Sequence, residues 1–237
     1  MTANGLTLEV VRLVKRFGGV TAVNGCTLAL ERGRIYGLIG PNGSGKTTLF
    51  NCITGLEVRD AGVIRFRGRR IDGLRAHRVA ALGVGRTFQV IRVFPELTAL
   101  ENLLVVSRGD RPAAARRSRE LLAFVGLEGL ADEPAGSLSY GQQKLLEFVR
   151  VLMMDPALVL LDEPAAGVNR TLLNDLLAAI RRLRDEGRTV LIVEHDMKVV
   201  MGLCEHVFVL DRGEKIAEGP PEAIQRNERV IEAYFGR

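Results

Sequence analysis

The run Gly40-Pro-Asn-Gly-Ser-Gly-Lys-Thr47 constrains this chain more than any other stretch of its sequence. Residues 35–39 before it form an apolar run of strand length, and residues 48–54 after it read as a helix. A strand feeding a helix through a glycine loop aims the partial positive charge of the helix N-terminus into the loop. The spacing Gly40, four residues, Gly45, Lys46, Thr47 is that of a Walker A loop: N–H groups wrap an anion, a lysine adds charge, and a hydroxyl serves Mg²⁺. Lysine is scarce, with five in the whole chain, which makes an incidental lysine a weak explanation. The expected ligand is a nucleoside triphosphate held by Gly40, Pro41, Asn42, Gly43, Ser44, Gly45, Lys46, Thr47 and Thr48. Dinucleotide binding fits worse, because Gly43-Ser-Gly45 runs into Lys46-Thr-Thr48 without a third glycine.

Such a loop needs an acidic partner, and Leu158-Val-Leu-Leu-Asp162-Glu163-Pro164 offers two acids at the end of an apolar strand. Asp162 is placed to orient Mg²⁺ through a water, and Glu163 to polarise a water attacking the γ-phosphate. The competing reading is a pair of acids capping a helix start.

Composition closes off other classes. The net charge of +5 is spread along the chain, and the densest basic cluster, residues 108–119, has no interleaved aromatics, so it reads as a solvated helix face rather than a nucleic-acid platform. The tripeptide Arg108-Gly109-Asp110 within it is taken as chance. Cys26, Cys52 and Cys204 are widely separated and lack metal or disulfide spacing, which suits a reducing compartment. No apolar stretch approaches the roughly 18 to 20 residues that span a bilayer.

Hydrophobic periodicity organises the rest. Strand-like runs cover residues 6–13, 26–30, 35–39 and 63–67, and helical periodicity governs about 98–154. Strands at 158–161 and 190–193, joined by an amphipathic crossover at 172–183, imply a parallel sheet. A short strand at 207–210, a turn at Arg212-Gly213 and a helical stretch from 221 to 234 close the chain. With the Walker A loop, this order of elements resembles an α/β P-loop NTPase, which implies that residues 1–90 and 155–237 form a RecA-like core with an N-terminal antiparallel β subdomain and 91–154 an inserted α-helical subdomain.

The segment Leu138-Ser-Tyr-Gly-Gln-Gln143 resembles the Leu-Ser-Gly-Gly-Gln signature of the ATP-binding-cassette family, with Tyr140 in place of the first glycine. Further motifs follow in the family's order. Gln89, after Gly85-Arg-Thr-Phe88, matches the Q-loop glutamine that reaches Mg²⁺ and the attacking water. His195, after Leu191-Ile-Val-Glu194, matches the switch histidine that contacts the γ-phosphate. The resemblance implies ATP and Mg²⁺, with Thr47, Gln89 and Asp162 on the metal side and Glu163, Gln89 and His195 at the chemistry. It also implies that Ser139, Gly141 and Gln142 complete the nucleotide site of a second subunit in a head-to-tail dimer. Phe17 matches the position that stacks on adenine, a packed core phenylalanine being the alternative. Asn169 stands where most of the family has aspartate; it keeps a hydrogen-bonding group and loses the charge.

Finer details, including Arg86-Thr-Phe-Gln89, Glu101-Asn102-Leu103, Glu194-His-Asp-Met197 and the closing Glu232-Ala-Tyr-Phe-Gly236, resemble the G-type ATPases of importers for branched-chain amino acids and related hydrophobic amino acids or amides. That implies integral membrane permease subunits as partners, an indirect link to a substrate-binding protein, no nucleic acid, and a peripheral place at the cytoplasmic face of the inner membrane. Val93, Phe94 and Leu97 are candidates for the permease contact, with internal packing as the alternative. A non-transport member of the family and a regulatory module that binds ATP without turning it over are the rival functions.

Overall fold

A long hairpin opens the chain. In the computed structural model, which describes residues 5–107 and 110–235, β1 (Leu6–Phe17) and β2 (Val20–Glu31) pair antiparallel. Along β2 the apolar Cys26, Leu28 and Leu30 are buried while Thr27, Ala29 and Glu31 face solvent, the period-2 pattern of a sheet with one packed face. Both strands outrun the expected 6–13 and 26–30. A register shift between Val10 and Leu13, with Arg12 at φ 45°, switches faces in mid-strand and hides the alternation. After β3 (Ile35–Ile39) and α1 (Lys46–Thr54), β4 (Ala61–Phe66) pairs with the other edge of β1, and β5 (Arg69–Arg70) completes a four-stranded sheet ordered β2-β1-β4-β5.

The second sheet is assembled from distant segments. α2 (Ala76–Ala81) and β6 (Val84–Arg86) precede three helices: α3 (Ala99–Leu104), α4 (Arg111–Phe124) and α5 (Tyr140–Leu152). Then come β7 (Leu158–Asp162), α6 (Arg170–Asp185), β8 (Thr189–Val193), α7 (Met197–Leu203), β9 (His206–Asp211) and β10 (Glu214–Gly219). The strand order is β10-β9-β3-β8-β7-β6, parallel except for β10. The expected helix over 221–234 is two helices, α8 (Pro221–Gln225) and α9 (Glu228–Phe235). Asn227 separates them, and its side-chain oxygen accepts from Val230 N–H. On α4, Arg111, Arg116, Arg117 and Arg119 are exposed, in keeping with a solvated face; Arg108, Gly109 and Gly236 lie outside the described residues.

Every residue of β3, β7 and β8 is buried, as parallel strands covered on both faces require. Alternation sorts their side chains between two cores. Ile35, Ile39, Val159, Leu161, Val190 and Ile192 face the α5 residues Leu145, Leu146, Phe148 and Val149. Tyr36, Leu38, Leu158, Leu160, Leu191 and Val193 face α1 and the first sheet. At Gly85 β6 packs tightly under α5: a Cβ there would stand 2.5 Å from Val151 Cγ1 and 3.1 Å from Pro156.

Gly85→Ala is therefore expected to lower stability by about 1–3 kcal/mol in thermal or urea denaturation, with Val151→Ala restoring part of the loss; an unchanged melting point would contradict the packing. Burial raises the thiol pKa of Cys26 and Cys52 to about 11 and of Cys204 to about 12. At pH 8 a thiol reagent should react slowly with the native chain and rapidly with all three cysteines after unfolding.

Candidate active site

β3 lies inside the second sheet with β8 on one side and β9 on the other, so the loop that leaves its C-terminal end opens at the sheet's crevice. Gly40, Gly43 and Gly45 have φ of 150°, 78° and 101°. Side chains are shut out as well: a Cβ at Gly40 would meet Leu210 O at 2.0 Å, and one at Gly45 would meet Ala22 O at 2.3 Å. α1 starts without a side-chain cap, so its first N–H groups face the loop unclaimed by any side chain. Lys46 is buried and curls over the loop, donating to Gly40 O at 2.8 Å, Pro41 O at 2.9 Å and Ser44 Oγ at 3.3 Å. Burial lowers its pKa, opposed by the carboxylates of Glu163 and Asp162. Thr47 is exposed beside it.

The ends of the neighbouring strands bring the remaining groups. Gln89 follows β6, Glu163 follows β7 and His195 follows β8. Gln89 Nε2 donates to Glu163 Oε2 at 3.2 Å, while His195 Nε2 makes a short contact with Glu163 Oε1. One carboxylate thus sits between an amide and an imidazole. Its backbone is in the left-handed region at φ 50°, where a residue other than glycine is held only by surrounding structure. Asp162, the last residue of β7, is 4% exposed; its N–H donates to Thr87 Oγ1 at 3.2 Å, and its Oδ2 accepts from Arg86 at 3.0 Å.

Ser139, Gly141 and Gln142 start α5. Ser139 and Gln142 form a capping box, with Ser139 N–H donating to Gln142 Oε1 at 2.9 Å and Gln142 N–H to Ser139 Oγ at 3.4 Å. A Cβ on Gly141 would stand 2.8 Å from Leu172 Cδ1, so this glycine lets α5 lie against α6. Among the described residues no hydrogen bond joins these three to residues 40–48. Asn169 caps α6, its side-chain oxygen accepting from Leu172 N–H at 3.0 Å. Phe17, at the end of β1, is 45% exposed with the Lys15 ammonium 4.7 Å above its ring, so the packed-core alternative fails. Val93 and Leu97 are half-buried and Phe94 is exposed, with Arg150 over its ring. Asn102, fully buried, pins this segment by accepting from Phe94 N–H and donating to Phe94 O.

Several residues at the site escaped the sequence reading as individuals. The Arg86 side chain, 6% exposed, reaches from β6 to Asp162 and to Asn51 Oδ1 on α1 at 2.6 Å, and its Nε has no partner. Removing one member of such a buried ion pair costs about 3–5 kcal/mol. Glu194 accepts from Ala165 N–H at 2.8 Å and His195 N–H at 3.1 Å, tying the turn after Glu163 to the histidine. Burial raises its pKa and these backbone bonds oppose the rise. The Tyr234 phenol on α9 hydrogen-bonds to the backbone of Gly40. Arg86, Glu194 and Tyr234 were visible in the sequence only as parts of longer motifs.

The same arrangement has relatives. The ABC transporter family matches residues 23–166, and the family described as branched-chain amino acid ATP-binding cassette transporter matches residues 214–237. The high-affinity branched-chain amino acid transport ATP-binding protein BraF of Pseudomonas aeruginosa is 45% identical over 97% of both chains. LivG of Escherichia coli, a protein of the same description, is 40% identical over 97% of both. Among solved structures, a nucleotide-free ATP-binding cassette from an ABC transporter matches with a TM-score of 0.89 at 33% identity, covering 98% of this chain and 100% of that one. A dimeric bacterial ABC transporter cassette matches with a TM-score of 0.82 at 27% identity, covering 90% and 98%. With a full-length match in sequence and in fold, the chain belongs to the ATP-binding-cassette transporter family.

Proposed function

We propose that this chain is the ATP-hydrolysing subunit of an importer for branched-chain or related amino acids, placed peripherally at the cytoplasmic face of the inner membrane. The observation that carries the reading is the meeting of Gln89, Glu163 and His195 at strand ends beside the glycine loop. The names of the relatives support the amino-acid substrates. No helix among the described residues is long and apolar enough to cross a membrane; in this reading, permease subunits hold the chain at the membrane. The exposed Phe94 is the contact we assign to them, on a helical unit spanning about 91–154.

In this reading the loop N–H groups and Lys46 hold the β- and γ-phosphates, Lys46 exchanging its carbonyl partners for phosphate oxygens, and Phe17 stacks on adenine. Thr47, Gln89 and Asp162 would hold Mg²⁺, an all-oxygen donor set that suits a hard cation. Among the described residues no cluster of three or more His, Cys, Asp or Glu side chains is placed to bind a metal unaided; a cation shared with phosphates fits such a site. When bound, the ion offsets charge on the phosphate oxygens. Asp162 Oδ2 already serves Arg86, which favours a water between this carboxylate and the ion. Glu163 acts as general base: each of its oxygens accepts one bond from Gln89 or His195 and keeps a further acceptor position for a water. His195 contacts the γ-phosphate, and Ser139, Gly141 and Gln142 face the nucleotide of a second subunit, itself or a sister chain. ATP-driven closure of that dimer powers transport, and hydrolysis reopens it.

Glu163→Gln should lower phosphate release by about 10²–10⁴-fold while ATP binding persists; hydrolysis at the native rate would remove Glu163 from the role of base. Phe94→Asp should release the chain from membranes containing its permease without changing ATP binding by the purified protein, and undiminished membrane recovery would place the contact elsewhere.

A further inference from the structure

Lys144 is a second buried lysine at the site, in addition to Lys46. It lies in the second turn of α5 and is 7% exposed. Glu194, Glu147, Glu163 and Asp162 all act on its ammonium through space, yet its hydrogen bond goes to a neutral acceptor, the Glu163 carbonyl, at 2.7 Å. On the other side, Glu163 N–H donates to Val193 O at 2.9 Å. Both peptide groups of a left-handed residue are thereby tied, one to β8 and one to α5. The cavity beside them, lined by Thr87, Lys144 and Asp162 among others, holds about 10 Å³, at the lower limit for one water. Little of the Lys144 side chain meets solvent.

The same lysine faces the start of its own helix. Its Nζ lies 5.6 Å from the centre of the Tyr140 ring, and that ring rests on Gly167, where a Cβ would come within 2.7 Å of Tyr140 Cε1. Tyr140 follows the Ser139 cap directly. A continuous chain of contacts therefore runs from the signature turn through Lys144 to the backbone that aims the Glu163 carboxylate.

We propose that Lys144 is a positioning residue: its bond to the Glu163 carbonyl carries the placement of the signature helix to the general base of the same chain. The inference rests on the reading of Glu163 as base and of Ser139 as facing the partner's nucleotide. It supplies a route between two ATP sites in a chain whose Asn169 lacks the family's aspartate. Engagement of α5 by the partner's nucleotide shifts Lys144 and so aligns Glu163 for the nucleotide bound by its own loop.

The test is steady-state hydrolysis and ATP-binding titration by the purified chain carrying Lys144→Met, Lys144→Arg, Glu163→Gln, or Lys144→Met with Glu163→Gln. Lys144→Met should lower kcat by about tenfold to a hundredfold, the scale set by a misplaced reacting group, with KM and ATP affinity within about twofold. Lys144→Arg, which keeps a buried donor, should recover most of that kcat. In the Glu163→Gln background Lys144→Met should change residual hydrolysis less than about twofold, since both substitutions act through one carboxylate. A kcat for Lys144→Met near the native value, with Glu163→Gln inactive, overturns the proposal and leaves the functional reading standing. Losses that multiply in the double variant, or weakened ATP binding without rescue by arginine, overturn it in favour of a general packing role. Native turnover by Glu163→Gln retires the functional reading itself.

Discussion

The unpaired N–H groups where β3 gives way to α1 are the constraint around which the rest is arranged. They favour an anion, and only glycine permits the chain to present them: Leu210 O and Ala22 O occupy the space that side chains at Gly40 and Gly45 would take. The parallel sheet sets what else can be present. With β3 beside β8, and β7 and β6 beyond, the residues that follow each strand emerge at the same edge, and there Gln89, Glu163 and His195 meet. Lys46 ties the loop together by donating to its own carbonyls.

Buried charge is the second theme. Arg86, Lys46, Lys144, Asp162 and Glu194 all lie at or near the site with little exposure, and burial pulls the pKa of each of the three cations downward. Such groups are costly to desolvate and are tolerated where hydrogen bonds compensate. Here each bond joins two elements: Arg86 links β6 to β7 and α1, Lys144 links α5 to the turn after β7, and Glu194 links that turn to His195. The parts of the site are coupled through side chains that are expensive to remove.

Features set by covalent spacing were legible in the sequence. The glycine loop, the acids after an apolar run and the parallel strand–helix–strand order each follow from neighbours along the chain, and the structure has them in place. Features set by distant contacts were not. β1 crosses a bulge at Arg12 that exchanges its faces, so periodicity stopped short of its true end. β6 is three residues long, below the reach of any pattern, although it carries Arg86. A lysine on an amphipathic helix reads as solvated, and Lys144 is buried because the Glu163 carbonyl waits opposite it. The tyrosine that replaces a signature glycine finds its place against Gly167, a residue distant in sequence whose lack of a side chain admits the ring.

If the loop is the organising element, affinity must reside in the phosphates rather than in the base, because Phe17 offers only an exposed ring. Calorimetric titration of the purified chain with ATP and with AMP, repeated on Lys46→Ala, tests this most directly. The account predicts one ATP per chain, bound about a hundredfold or more tighter than AMP (about 2.7 kcal/mol), with the difference largely lost in Lys46→Ala. Equal affinity for ATP and AMP, or ATP binding unaffected by Lys46→Ala, would contradict it.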